Sequence, residues 1–541
     1  MKYFRLISSV LCLQASVLCF TAGCAKRESA VAQGNRTGVF HYSVGSESSD
    51  LDPHLVTGLG DAKIIAALFE PLVTFEPVTL EPKPALAERW SISADGLTYT
   101  FHLRADARWS NGAPVTAQDC VDSWRRVLTP SLAADYAYLF YIIHGAEEYH
   151  KGRTTDFSTV GLAAPDARTL VATLSHPAPY FLQILLNSPW RPVNVAAIAA
   201  VGDPYRRGTP WTRPGTLVSS GPFVLKEWKP HQHILVEQSP TYWDRATVRL
   251  TAIRFYPIDS MDAEERAYRT GQLHGTWALP LSKVLPFQQE KSPALRIDPI
   301  LETYFFRLNV RRTPLDDTRI RQALSLALDR DAIAGKILPG GRQPAPTFIS
   351  PLLKGYTPPV RRAYDLAAAR QLLTDAGHPG GAGLPPIEIL YNNSEILRLV
   401  AEAIQQMWQR DLGLDIRLVN QEFKVVFANR RAGDYQILLG SWTADYLDAT
   451  TFLDMWRSDS GNNHTGWSDL AYDALSNRAN TIADPAARAA VLAQAETLVL
   501  DAAPIIPVYF NTHVYLLHPA VKGWQPTPMD HTDYRYVRLE P

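Results

Sequence analysis

Residues 387–439 admit few folds. Ile387 to Tyr391 is a short apolar run that reads as a buried strand. Ser394 can cap a helix whose apolar positions, Leu397, Val400, Ile404, Met407 and Trp408, recur at helical spacing, and Gly413 supplies a left-handed residue to end it. Leu414, Ile416 and Leu418 alternate as a second strand. A short helix then runs from Val425 to Arg431, Gly433 breaks it, and Tyr435 to Leu439 is a third strand. Strand, helix, strand, helix, strand implies parallel strands with covering helices, which predicts the α/β class. Ligands of such sheets sit outside the carboxyl ends of strands. That rule singles out Gly440-Ser441-Trp442-Thr443-Ala444-Asp445-Tyr446, which follows the third strand.

A different period governs Leu97 to Arg104. Leu97, Tyr99, Phe101 and Leu103 share one face, and Thr98, Thr100, His102 and Arg104 share the other, so this is a half-buried strand. Asp95-Gly96 and Ser110-Asn111-Gly112 are turns on either side. Thr116, with Asp119 three residues on, opens a helix that carries Trp124 and Val127. At 541 residues the chain exceeds one core, and two or three domains are expected. Its 46% hydrophobic and 20% charged residues are those of an ordinary globular protein. The formal net charge of −1 gives no basic excess, so no nucleic-acid partner is expected.

The N-terminus reads as an export signal over residues 1–23. Lys2 and Arg5 are followed by a mostly apolar stretch, Ile7 to Phe20, too short to span a bilayer comfortably, and then by Thr21, Ala22, Gly23 and Cys24. The segment resembles the lipobox of bacterial lipoproteins, in which the Cys is acylated and becomes the first residue. It departs from that pattern at Thr21, where Leu is usual, and ordinary cleavage nearby is the alternative. Either route exports the protein. Residues 24–36 are polar and are expected to be a flexible, lipidated tether. Cys12 and Cys19 leave with the signal, so Cys120 stands alone, reads as a small buried residue, and can form no intramolecular disulfide. No later run approaches 18 apolar residues, so no transmembrane helix is expected.

Three segments read together carry a family resemblance. The first holds Ala87-Glu88-Arg89-Trp90, the strand from Asp95 to Arg104, and Trp109-Ser110-Asn111-Gly112-Ala113-Pro114. The second is Ser220-Gly221-Pro222-Phe223 with Tyr242-Trp243-Asp244 downstream. The third runs from Asn309 to Asp331, with Pro314-Leu315-Asp316-Asp317 and Arg319-Ile320-Arg321-Gln322-Ala323-Leu324. In this order they resemble the family-5 extracellular solute-binding proteins, the peptide- and nickel-type binding proteins of ABC importers. Val419-Asn420-Gln421-Glu422, followed by Trp442-Thr443-Ala444-Asp445-Tyr446, is most similar to the oligopeptide binders. The resemblance implies a bilobed, periplasmic-binding-protein-like architecture, hinged, with interleaved domains, mixed sheets and an extra domain. Domain I is then expected at 37–70, 211–298 and 513–541, domain II at 71–210 and domain III at 299–512. It also implies a short peptide ligand, an ABC permease with its ATPase as partner, a monomer, and a place in the periplasm or at the cell surface, held to the membrane through Cys24.

By the same resemblance Asp445 receives the α-ammonium of a peptide. A carboxylate enclosed on closure can accept a charge-assisted hydrogen bond there, and its cost of burial without a partner makes the ligand's charge favour the closed form. Backbone groups of Thr57-Gly58-Leu59 and Gly440-Ser441-Trp442-Thr443 are expected to pair with an extended peptide. Trp442 reads either as the wall of a side-chain pocket or as a core residue. Tyr136 and Tyr138 read either as a cover over the ligand or as packing, and Tyr446 belongs to the same ligand segment. Arg430 matches a basic position of the oligopeptide binders, whereas Thr57, Leu397, Leu439 and Tyr515 stand where charged residues are expected. The expectation is a peptide of different preferred length, or a more apolar ligand.

Other readings use the same residues. Relatives of this fold bind nickel chelates, haem, oligosaccharides or cell-wall peptides, and a sensory role, delivering a ligand-bound lobe to a receptor and not to a permease, is the second alternative. Asp445 in its matching context favours an amine-bearing ligand. No G-x-S-x-G, H-E-x-x-H or P-loop is present, and an enzyme is not expected. His144 and His150 are six apart, on different sides of a helix, and His464 has no second His or Cys beside it, so neither a metal site nor a cofactor is expected.

Overall fold

A computed structural model describes residues 28–360 and 364–540. The expected signal (1–23) and Cys24 lie outside the described residues. Thr98–Leu103 is a strand whose Tyr99, Phe101 and Leu103 are buried, as the alternation requires. It is the second strand of an antiparallel sheet in the order Ala87–Ile92, Thr98–Leu103, Thr169–Thr173, Leu162–Asp166. Helix Ala117–Leu128 packs against this sheet, opened by a reciprocal capping box between Thr116 and Asp119. Trp124 on that helix donates its indole N–H to the Trp190 carbonyl at 3.0 Å. Cys120 is fully buried and burial pushes its thiol up, which makes it an inert core residue.

A second sheet holds Val39–Gly45, Ala252–Pro257, His233–Gln238 and Phe223–Lys229 in that order, the first pair parallel and the rest antiparallel. Helix Leu59–Leu68 buries Ile64, Ile65 and Leu68 in the core over this sheet. The stretch expected as a flexible tether, 24–36, is ordered from Ser29 onward. Ser29 caps an α-helix over Ala30–Thr37, and Gly38 closes it at φ 78°. Polar composition concealed this helix because only Val31 and Gly34 of it are buried. A Cβ at Gly34 would stand 2.3 Å from the Val39 carbonyl oxygen, so the helix can lie that close only with glycine there.

The third sheet contains the α/β segment. Ile387–Asn392 lies parallel to Ile416–Gln421 on one side and to Ile437–Thr443 on the other. Helix Glu395–Leu412 starts at the Ser394 cap and ends at Gly413, φ 70°, and helix Phe423–Ala432 ends at Gly433, φ 68°. Beyond this parallel trio the sheet turns antiparallel, through Leu295–Leu308, Ile505–Leu516 and Gln343–Pro344. It is therefore mixed. Two cores, one on each face, hold Phe306 with Trp408 and Phe305 with Trp456.

The pair Leu295–Leu308 and Ile505–Leu516 also leaves this sheet. Its far end pairs Leu295 with Leu516, and Leu517 bridges Gly275, which bridges Tyr42 of the second sheet. The ladder is interrupted between Pro299 and Thr303, where proline offers no N–H and the Leu301 N–H goes to the Pro528 carbonyl. The boundaries expected at 298/299 and 512/513 fall inside these two continuous strands.

Candidate functional site: a cleft beside an open strand edge

The strand expected over Tyr435 to Leu439 runs instead from Ile437 to Thr443, so Gly440 to Thr443 lie within it. On one side it pairs throughout with Leu295–Leu308, from Glu302 opposite Thr443 to Leu308 opposite Ile437. On the other it meets Ile387–Asn392 only at Ile437 and Leu438. From Leu439 to Thr443 that edge has no partner strand among the described residues. A row of backbone donors and acceptors is thus available to an extended chain.

Beside this edge is a cleft of about 700 Å3, within the size range of small-ligand sites. Ser441, Trp442, Thr443 and Asp445 line one wall, together with Phe423, Phe427, Arg430 and Arg431 of helix Phe423–Ala432. Thr57, Gly58 and Leu59 line the facing wall with Lys63. Of these three Gly58 is extended, as the N-cap, and Leu59 is already the first residue of helix Leu59–Leu68. Tyr136 and Tyr138, at the start of the 3-10 helix Ala137–Ile142, and Asn187, the N-cap of the 3-10 helix Ser188–Trp190, reach in from the lobe that contains Thr98–Leu103.

Asp445 is where these parts meet. Its backbone N–H donates to Thr451 Oγ1 at 2.9 Å, and its carbonyl accepts from Asn187 Nδ2 at 2.5 Å. Its carboxylate accepts from the Tyr138 hydroxyl at 3.3 Å. No cation pairs with it among the described residues. Burial therefore pushes its carboxyl up to about 7, the Tyr138 hydrogen bond pulling weakly the other way. Burial and the Asp445 charge together push the Tyr138 hydroxyl far up, so it stays a donor.

Trp442 takes both roles open to it in the sequence. It lines the cleft, its ring packs on the core under the sheet, and its indole N–H donates to the Thr451 carbonyl at 2.9 Å. Arg430 lines the cleft with its guanidinium 4.0 Å from the Phe427 ring centroid. Two expected residues fall elsewhere. Tyr446 is buried, stacked on Tyr180 with ring centroids 4.8 Å apart, and its hydroxyl meets Thr450. It thus ties the third sheet's loop to the Thr98–Leu103 lobe. Gly440 does not line the cleft; its Cα hydrogens face Arg307, whose Nη1 would lie 3.3 Å from a Cβ there. Leu397, Leu439 and Tyr515 are core side chains, so their lack of charge does not bear on the cleft. Thr57 alone of those four faces it. Asn187, Lys63, Phe423 and Phe427 were missed, and only the last two carried a sequence signal, as aromatic residues on a short, polar helix.

The histidines behave as packing groups. His150 Nδ1 meets the Tyr141 hydroxyl at 2.7 Å, and His464 is held down to about 4 by burial and by Arg430, Arg307 and Arg431. Among the described residues no group of His, Cys, Asp or Glu could hold a metal ion, and no helix is long and apolar enough to cross a membrane.

Residues 81–464 match the model of the bacterial extracellular solute-binding proteins, family 5 Middle. The chain is 34% identical over 511 residues to the periplasmic oligopeptide-binding protein OppA of Escherichia coli (strain K12), covering 91% of this chain and 90% of that one. Its fold superposes on the murein tripeptide binding protein MppA of Escherichia coli with a TM-score of 0.83 at 32% identity, covering 93% and 98% of the two chains. Against Haemophilus influenzae OppA in complex with the peptide RPPGFSPFR the TM-score is 0.82 at 30% identity, covering 93% and 99%. With its mixed sheets, its cleft and these likenesses along nearly its whole length, the chain belongs to the bacterial extracellular solute-binding proteins, family 5.

Proposed function

We propose that this protein is an extracytoplasmic lipoprotein that captures short peptides in a closing cleft and delivers them to an ABC permease with its ATPase. It is not an enzyme in this reading. The observation that carries the proposal is Asp445, a carboxyl with no cation among the described residues, at the end of an open strand edge inside an interlobe cleft. A peptide brings what both features lack. Its α-ammonium supplies the missing positive charge, and its backbone supplies the missing ladder partner. Recognition by these groups is independent of side chain. The named relatives OppA and MppA, which bind oligopeptides and a murein tripeptide, support the same ligand class.

Domain I (37–70, 211–298, 513–541) and domain III (299–512) close about the two shared strands, with Pro299 interrupting the ladder at the hinge. Domain II (71–210) supplies the cover, through Tyr138 and Asn187. Cys24 carries the lipid in the periplasm or at the cell surface, and the protein works as a monomer. Thermal unfolding of residues 25–541 tests the ligand class. Free tri- to pentapeptides should raise the midpoint by mass action, and the same peptides N-acetylated should not. No rise with any free peptide contradicts the proposal.

A further inference from the structure

Tyr446 sits in a core that is not its own. The buried side chains of the core under Thr98–Leu103 all come from between Leu72 and Trp190, except Tyr446, which enters from the loop after the cleft strand. Its ring stacks on Tyr180, itself 6% exposed, with centroids 4.8 Å and planes 11° apart. A second group from the side of the third sheet reaches Tyr180. Arg488, on helix Pro485–Ala502 and 5% exposed, holds its guanidinium 5.2 Å from the Tyr180 ring centroid. Asp448 aims it there, meeting Nη1 at 2.6 Å and Nη2 at 2.9 Å. Asp448 also accepts from the Thr450 N–H at 3.0 Å and hydroxyl at 2.7 Å, and Thr450 Oγ1 meets the Tyr446 hydroxyl at 3.2 Å. Loop and helix thus present one braced surface to Tyr180, and stacked rings and a buried cation over a ring attract. Burial pushes both phenols up, so they stay neutral. The charged groups around them are Asp448, Asp454 and Arg488, and His176, from the lobe of Tyr180, faces Arg488 and Arg457.

These contacts bypass the ligand. Tyr180, Tyr446, Asp448, Thr450 and Arg488 do not line the cleft, yet Tyr446 is next in the chain to Asp445. Parting Asp445 from Tyr138 and Asn187, which belong to the lobe of Tyr180, must also withdraw Tyr446 from that lobe's core and strip Tyr180 of both neighbours. A ligand adds nothing to this junction, so the closed form gains from it with the cleft full or empty. We propose that Tyr180, held by Tyr446 and Arg488, is a ligand-independent latch and a positioning residue for Asp445: it keeps the lobes closed in the empty protein and so holds the Asp445 carboxyl out of solvent. Peptides then enter through transient opening. The latch, not the ligand, sets the resting state, and apparent affinity scales with the fraction of protein it keeps closed. The proposal rests on the closing cleft of the peptide reading, but its first test uses no peptide.

Small-angle X-ray scattering of ligand-free residues 25–541 at pH 7.5, where burial keeps His176 neutral, should fit the closed structure. Tyr180→Ala should enlarge the radius of gyration, and Tyr180→Phe, which keeps the ring, should not. Tyr180→Leu keeps apolar volume in the core and serves if the alanine variant does not fold. Calorimetric titration with free tetraalanine adds a readout that a structural role alone would not move. In the variants without the ring, affinity should fall about tenfold as the closed fraction falls. Proton release on binding at pH 6.5 should fall by roughly half or more, because Asp445 in an open cleft is solvated and already ionised. Tyr180→Phe should keep both values. An open scattering curve for the unmodified protein overturns the latch, whatever peptides do, and so does a folded Tyr180→Ala or Tyr180→Leu protein that stays closed. An open variant with undiminished proton release overturns the positioning of Asp445. No binding of tetraalanine to any form overturns the peptide reading, and the scattering still decides the latch.

Discussion

Two carboxylates line the same cleft in opposite circumstances. Asp530 accepts from Lys63 Nζ at 2.8 Å and faces His513 Nδ1 at 3.2 Å, while His513 Nε2 donates to the Trp277 carbonyl at 2.6 Å. Burial alone would push Asp530 up, but Lys63 and His513 overcome it and hold it well below the usual carboxylate range. Burial would likewise lower His513, and Asp530 overcomes that and raises it, as both ring nitrogens donate. Asp445, half-buried beside the cleft, has no cation among the described residues, and burial pushes it up to about 7. On the proposed reading, the charge that holds the fold is completed internally and the charge that faces the ligand is left incomplete. The contrast also separates their pH windows. Asp530 contributes stability that is present above its unfolded value of 3.8 and lost as pH falls. Asp445, raised in the fold, contributes in the ligand-free protein below 3.8 and loses that contribution as pH rises through about 7.

The strongest way to break the comparison is to remove the cation from Asp530. Lys63→Met leaves the buried Asp530 with only His513 facing it and should destabilise the fold by about 3 kcal/mol in urea unfolding at pH 7.5. A loss under about 1 kcal/mol would mean that Asp530 is as unpaired as Asp445. Asp445→Asn should do the reverse. Peptide affinity should fall about a hundredfold, the cost of losing one partner of a buried charge pair, while the unfolding midpoint of the ligand-free protein at pH 7.5 holds or rises. Smaller is the effect of acid on the unmodified protein. A carboxyl that is protonated below about 7 must lose its proton to receive an ammonium, so affinity should be about tenfold weaker at pH 6 than at pH 7.5. Smallest, Tyr138→Phe removes one hydrogen bond to the carboxylate and should weaken peptide binding by about threefold to tenfold.

Much of the fold was written in local patterns. The Ser394 and Gly413 caps, the Thr116–Asp119 box and the alternation in Thr98–Leu103 depend on neighbours in sequence, and each stands in the structure. The cleft strand was expected to stop at Leu439, where the apolar run ends, and the antiparallel partner Leu295–Leu308 carries it through to Thr443. Asp445, Trp442 and Arg430 were recognised in their motif context. Asn187 and Lys63 were not, since they reach the cleft from elements over 200 residues away in sequence from Asp445. Polar composition concealed the helix at Ala30–Thr37 because a short helix needs few buried positions to dock.

The most direct measurement is the count of protons released when a free tetrapeptide binds at pH 6.5, by calorimetry in two buffers of different ionisation enthalpy. With Asp445 near 7 in the ligand-free protein and charged under an ammonium, about 0.7 proton should leave per peptide bound, and almost none in Asp445→Asn. Binding with no proton release in the unmodified protein would mean that the ligand's amine does not meet a carboxyl held neutral by burial, and would contradict the account.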